Sequence, residues 1–169
     1  AGRTGKCEPI FTVTGDSLYV DEEKYGSVLK TMVHIFRNAL DHGLETEEER
    51  VVLDKNPVGT ITCRVIDCGD TFSIVISDDG RGIDFEKLKV KAVEKGLCEA
   101  GEIDSMNEEA QQELIFIDSL STKDAVSQIS GRGVGMSSVR QACRILGGIF
   151  SVETERLVGT TFTITLPYV

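Results

Sequence analysis

The 169-residue chain has no Trp, three Pro and only two His, and its 18 Lys and Arg are outnumbered by 28 Asp and Glu, a formal net charge of −10. So little positive charge excludes a general binder of duplex nucleic acid or membrane surfaces, whose electrostatic footprint is a basic patch. Any anionic ligand must then be held locally. No apolar run approaches the ~20 residues of a membrane span, and the opening AGRTGKCEPI lacks the apolar stretch of a secretory signal. A cytoplasmic location with no membrane segment is therefore expected. The five Cys are odd in number and form no C-x-x-C pair, which argues against a disulfide framework or a zinc site and for reduced, mostly buried thiols. Internal repeats and low-complexity segments are also lacking.

What is present reads as one domain over residues 1–169. A chain of this size buries roughly 70% of the surface it exposes unfolded. It begins without Met and ends at LPYV directly after an alternating run, so it is expected to be excised from a longer protein. Ile10–Val13 suits a strand. A long helix is expected from about Asp21 to His42, acidic in its first turn and stopped by Gly43, with Leu29, Met32, Val33, Phe36 and Leu40 as its apolar stripe. ETEEERVVLDKN reads as a charged, helix-favouring connector. Thr60–Ile66 and Thr71–Ser77 form a hairpin about the DCGD turn. Asp84–Lys95 looks like a helix capped by Asp84 and ended by Gly96. From Leu97 to Ser130 the pattern weakens, apart from a helical piece around Glu108–Phe116, and such a long irregular stretch is usually functional or disordered. Met136–Leu146 resumes helical spacing. Ile149–Glu155 and Thr160–Leu166 form a second hairpin, with Thr160, Phe162, Ile164 and Leu166 on one side of the last strand. The expected fold is an α/β (α+β) two-layer sandwich: a mixed, mostly antiparallel sheet of about five strands, covered on one face by about three helices.

Four local patterns carry chemistry. On the first helix His34, Asn38, Asp41 and His42 share one side, flanked by Arg37, although Asn, Asp and His are poor choices for a merely solvated face. Asp78-Asp79-Gly80-Arg81-Gly82 follows a strand; Asp-Gly favours a turn on its own account, but the carboxylate of Asp78 beside two glycines can accept a hydrogen bond from an exocyclic amine of a closely approaching ligand. Gly131-Arg132-Gly133-Val134-Gly135 precedes a helix and suits a hinge that turns N–H groups toward an anion. It is not the G-x-G-x-x-G of a dinucleotide fold, and no Gly-Lys-Ser/Thr follows to make a Walker loop. Gly159-Thr160-Thr161-Phe162 alone means only strand.

Taken in order, HIFRNALDHG, DDGRGID, GRGVGM and GTTF resemble the ATP-binding boxes of the GHKL superfamily of gyrase-, chaperone- and histidine-kinase-type ATPases (the Bergerat fold). H-x-x-R-N-x-x-D-H-G-[IL]-E, the Lys-rich helix after DDGRGID, and SGRGVGM narrow the resemblance to the catalytic domain of chemotaxis-type, CheA-family histidine kinases, from about Leu29 to Leu166. The resemblance implies ATP and Mg²⁺ as ligands. Asn38 would hold the Mg²⁺, and Asp78 would accept from the adenine amine, with Gly82 giving the base access and Thr160 in support. Arg37, His42, Ser121, Thr122 and Lys123 would line the phosphates. Gly131, Gly133 and Gly135 would hinge an ATP lid over about 97–135, and Asp41, Gly80, Val134 and Met136 complete the implied contacts. Gyrase-like members carry a Glu four residues before the Asn to activate water; here that position is His34, which would orient or deprotonate an incoming imidazole, so His34 and Asn38 are the implied catalytic pair. Leu157-Val158-Gly159-Thr160 has only the second glycine of the usual terminal box.

The implied activity is transfer of the γ-phosphate to a histidine-containing phosphoacceptor domain, in cis or in trans, with a response regulator downstream and no nucleic-acid partner. His34 and His42 lie inside the nucleotide motif and are poor acceptors. The alternatives are a nucleotide-sensing module that transfers nothing, and an anti-sigma-like serine kinase. The acids concentrate in Glu45–Glu49 and Glu99–Glu113, expected to lie away from the phosphate site.

Overall fold

The computed structural model describes residues 8–103, 105–117, 120 and 135–168. Five strands, β1 (Ile10–Gly15), β2 (Thr60–Asp67), β3 (Thr71–Asp78), β4 (Ile149–Glu155) and β5 (Gly159–Pro167), form one sheet in the order β1-β2-β3-β5-β4. β1 runs parallel to β2 and every other pairing is antiparallel. This is the mixed sheet expected from the sequence. Alternation along the inner strands sends Phe72, Ile74 and Ile76 of β3 and Phe162, Ile164 and Leu166 of β5 into the core. The opposite face is polar, and hydroxyl pairs tie its strands together: Ser73 with Thr165 and Ser77 with Thr161, each at 2.9 Å.

Helices α1 (Glu22–Asn38) and α6 (Met136–Ile145) pack against each other and cover the apolar face, through Tyr25, Val28, Ile35, Val139, Ala142 and Cys143. Asp21 caps α1 by accepting from the Glu23 N–H at 2.8 Å. The buried side of α1 is Tyr25, Val28, Ile35 and Ala39, with Met32 and Phe36 at its margin. Of the expected stripe, Leu29, Val33 and Leu40 are instead exposed. Apolar residues lie on more than one side of this helix, so spacing alone gave the period and left the phase open. The long helix also ends earlier than expected. After Asn38 the chain widens into a π-helical turn, Ala39–Gly43, closed by the Leu44 N–H donating to the Ala39 carbonyl at 2.9 Å.

The charged connector contains a short helix, α2 (Glu47–Val52), begun by a reciprocal capping box in which Thr46 and Glu49 each bond the other's backbone N–H. Helix α3 (Phe85–Glu94) is capped by Asp84, as the sequence predicts. The described part of the stretch from Leu97 onward is more ordered than its sequence suggests. Helices α4 (Ala100–Ile103) and α5 (Glu108–Glu113) and the 3₁₀ turn Leu114–Phe116 pack with α3 around a second, smaller core of Ala92, Ile103, Leu114 and Leu120. Cys63 and Cys143 are buried, Cys68 is exposed and Cys98 half-buried; of these four thiols, only two match the expected burial.

Candidate functional site

Strand alternation builds the site. The inward row of β3 runs Phe72, Ile74, Ile76 and ends on Asp78. The inward row of β5 begins on Thr160, which is paired in register with Asp78, and Thr154 of β4 lies opposite Thr160. Three core-facing rows thus end at the same level on polar residues. A carboxylate that continues an apolar row is buried by the geometry of its own strand, and Asp78 is only 8% exposed. Burial, reinforced by the nearby Asp79 and Glu45 carboxylates, pushes its pKa up to about 6, although N–H groups of Gly80 and Thr160 favour the charged form. Thr160 and Thr154 share a hydroxyl contact at 3.1 Å, and Thr154 accepts from the Ile83 N–H at 2.9 Å. The far end of the glycine segment is therefore fastened to the end of the sheet.

The π-helical turn completes this end of the molecule. A Cβ on Gly43 would stand 3.2 Å from both Asp78 carboxylate oxygens, so the turn lies directly on the acid. The Arg81 N–H donates to the Gly43 carbonyl at 2.8 Å. Gly80 faces the same carbonyl so closely that a Cβ there would overlap it, and Gly82, at φ +69°, has no room for one against the Glu155 backbone. Both glycines thus have an internal reason: they let the turn after β3 nest between the π-helical turn and the β4–β5 connection.

The helix residues singled out from the sequence occupy the same end. His34, Asn38 and His42 are half-buried, while Arg37 and Asp41 are exposed. Partial burial, with help from the Arg37 cation, lowers the pKa of His34, so its imidazole is neutral at pH 7. Asn38 makes no side-chain capping bond to the turn it begins. Among the described residues no cluster of three or more His, Cys, Asp or Glu could cage a metal ion. The donor set fits only a hard cation held by few protein oxygens and completed by phosphate and water, as Mg²⁺ is. Gly135 caps α6, its carbonyl accepting from the Ser138 hydroxyl at 2.7 Å, and Met136 packs at the margin of the main core. Ser121, Thr122, Lys123, Gly131, Gly133 and Val134 lie outside the described residues.

The sequence reading missed four residues behind the glycine turn. Arg50, Glu45, Lys55 and Asp79 form an ion-pair network there, with Arg50 and Glu45 buried and Lys55 and Asp79 nearer the surface. Glu45, expected with its acidic neighbours to lie away from the phosphate site, is 4% exposed and pairs with Arg50 and Lys55. The available signal was a strand-terminal Asp-Asp pair facing a connector with both charge signs, but which charges turn inward is decided by residues far away in the chain.

The chain was compared with known proteins. Residues 27–169 match the family model of histidine kinase-, DNA gyrase B- and HSP90-like ATPases. Chemotaxis protein CheA of Rhizobium meliloti is 38% identical over 167 residues, covering 99% of this chain and 22% of that protein. Sensor histidine kinase CheAY of Helicobacter pylori is 37% identical over 155 residues, covering 92% of this chain and 19% of that protein. The chain thus spans about a fifth of the length of these relatives. Among solved structures, the histidine kinase domain of the blue-light activated histidine kinase of Erythrobacter litoralis superposes with a TM-score of 0.54 at 19% identity, over 94% of this chain and 51% of that one. That likeness concerns the fold.

Proposed function

Because the chain belongs to the histidine kinase-, DNA gyrase B- and HSP90-like ATPase family, we propose that it binds Mg·ATP at the polar end of its sheet and passes the γ-phosphate to a histidine on a separate phosphoacceptor domain. The observation that carries this reading is Asp78: a buried carboxylate at the end of an apolar row, beneath a glycine turn and aligned with Thr160. It accepts from the adenine amine, and Thr160 supports it from β5. Asn38 would hold Mg²⁺, which when bound neutralises phosphate charge. Arg37 and His42 meet the phosphates from the helix, with Ser121, Thr122 and Lys123 from the lid segment, about 97–135, hinged at Gly131, Gly133 and Gly135. Phosphoryl transfer requires mainly positioning and charge neutralisation. A carboxylate base to activate water is missing from the position of His34, whose neutral imidazole instead orients the acceptor histidine or takes up its proton. The resemblance to chemotaxis kinases makes a response regulator the next recipient and the cytoplasm the place of action.

Calorimetric titration of the chain should show ATP affinity that depends on Mg²⁺ and falls about tenfold or more in Asn38→Ala. With γ-labelled ATP and an added histidine phosphotransfer domain, label should appear on that domain in acid-labile form. Acid-stable label would point to a serine kinase, and Mg-dependent binding without transfer to a nucleotide-sensing module. Absence of any ATP affinity would overturn the reading.

A further inference from the structure

The buried charges behind the glycine turn have a geometry of their own. Arg50, 2% exposed, donates through Nη1 to Glu45 Oε2 at 3.0 Å and to the Asp79 carbonyl at 3.2 Å, and through Nη2 to Asp79 Oδ2 at 2.8 Å. Its Nε donates to the Asn56 carbonyl at 2.6 Å. Lys55 donates from Nζ to Glu45 Oε1 at 2.8 Å, to the Asp79 carbonyl at 2.9 Å and to the Gly80 carbonyl at 2.7 Å. Two cations and two carboxylates balance, and the residue between them is the one that follows Asp78.

The shared target is a single peptide group. The Asp79 carbonyl receives both cations, and the N–H of the same planar unit, that of Gly80, donates to Asp78 Oδ1 at 3.0 Å. A peptide plane is rigid, so fixing its oxygen fixes the direction of its N–H. Cationic donors on the carbonyl also polarise the group and strengthen that N–H as a donor. Asp79 Oδ1, which accepts from the Thr60 N–H at 2.8 Å, anchors the same turn to β2.

We propose that Arg50, Lys55 and Glu45 are positioning residues for base recognition, holding the Asp79–Gly80 peptide so that its N–H aims the Asp78 carboxylate at the exocyclic amine of a purine. The inference rests on the reading of Asp78 given above. Arg50 and Lys55 act through the peptide plane and touch no nucleotide; Glu45 supplies the counter-charge that lets both be buried. A cluster that served stability alone would affect all ligands of the site equally. A cluster that aims Asp78 sets the preference for a base with an amine over one with a carbonyl at that position.

The test measures the affinities of the 169-residue chain and its variants for ADP and for inosine diphosphate, which carries a carbonyl oxygen in place of the adenine amine. In Arg50→Met, ADP affinity should fall about tenfold, a loss of one good hydrogen bond to a charged group, while inosine diphosphate affinity changes less than threefold. Arg50→Lys should recover part of the ratio. Glu45→Gln with Arg50→Met removes both charges and should regain thermal stability over Arg50→Met alone, yet keep the narrowed ratio. If Arg50→Met does not fold, the double variant and Lys55→Met carry the same comparison. An ADP-to-inosine-diphosphate ratio unchanged in folded variants, or restored together with stability in the double variant, overturns the inference alone. Failure of the unaltered chain to bind ADP overturns it together with the reading of the site.

Discussion

A carboxylate placed by strand alternation at the end of a hydrophobic row has a cost that depends on pH. Asp78 rises from an ordinary 3.8 to about 6, so between those values the folded chain binds a proton that the unfolded chain does not. Folding stability is therefore greatest at the acid end of this window, falls as pH rises from about 4 to about 6, and stays lowered above it. The shift corresponds to about 3 kcal/mol at most. Asp78→Asn removes the ionisation but also weakens an acceptor for the Gly80 and Thr160 N–H groups, which returns about 1 kcal/mol. The variant should gain about 1–2 kcal/mol relative to the unaltered chain at pH 8 and none at pH 4, in urea melts at both, while losing ATP binding. A gain of equal size at both pH values would remove burial of the charge as the cause. The place of Asp78 at the end of β3 was legible in the sequence because Asp79-Gly80 directly after it is a local turn signal. Arg50 and Lys55 were not, since an inward turn of a charged side chain depends on Asp79 and Gly80, dozens of residues further along.

At the scale of elements, the sequence located all five described strands and four of the six described α-helices within a few residues, and the differences have local physical causes. Helical spacing continues to His42 in the sequence, whereas the chain widens after Asn38 into a π-helical turn that sets Gly43 directly against the Asp78 side chain. Burial phase along α1 was decided by α6 and the sheet, neither of which is visible in the spacing of one helix. The helix-favouring connector after the π-helical turn holds a helix whose start is set by the capping box of Thr46 and Glu49, a pattern present in ETEEER. That box fixes the start of the helix carrying Arg50, so it links element to site. Thr46→Ala should cost about 1 kcal/mol of stability and Thr46→Ser a few tenths, in equilibrium urea unfolding. If Thr46→Ala matches the unaltered chain, the bond from the Glu49 N–H to Thr46 Oγ1 at 3.3 Å contributes nothing and α2 is held by Arg50 alone.

Among the described residues the molecule has two cores of unequal size, and this division was the least legible feature, because the second core is assembled from segments whose separate patterns are weak. The main core joins α1 and α6 to the sheet. The smaller one rests, among the described residues, on the buried Ala92, Ile103, Leu114 and Leu120, with Leu88, Val93 and Ile117 partly buried against them. Among the described residues it meets the main body where Arg140 pairs with Glu113 at 2.7 Å and lies 4.0 Å over the Phe116 ring, which meets Phe150 edge-on. Few buried contacts mean a low local opening free energy. Hydrogen exchange should therefore find α3 and α5 opening at lower free energy than β3 and β5. Leu114→Ala removes one of its buried anchors, a change that costs about 2–5 kcal/mol in a packed core. It should bring the α3 and α5 amides close to unprotected exchange while leaving those of β3 and β5 at the level of global unfolding. Loss of protection in β3 together with α5 would instead mean one cooperative unit. If the proposed lid segment closes over bound nucleotide, ADP should slow exchange in α3 and α5 of the unaltered chain, and less so in Leu114→Ala. The smaller core would then be the part of the fold that senses occupancy of the site.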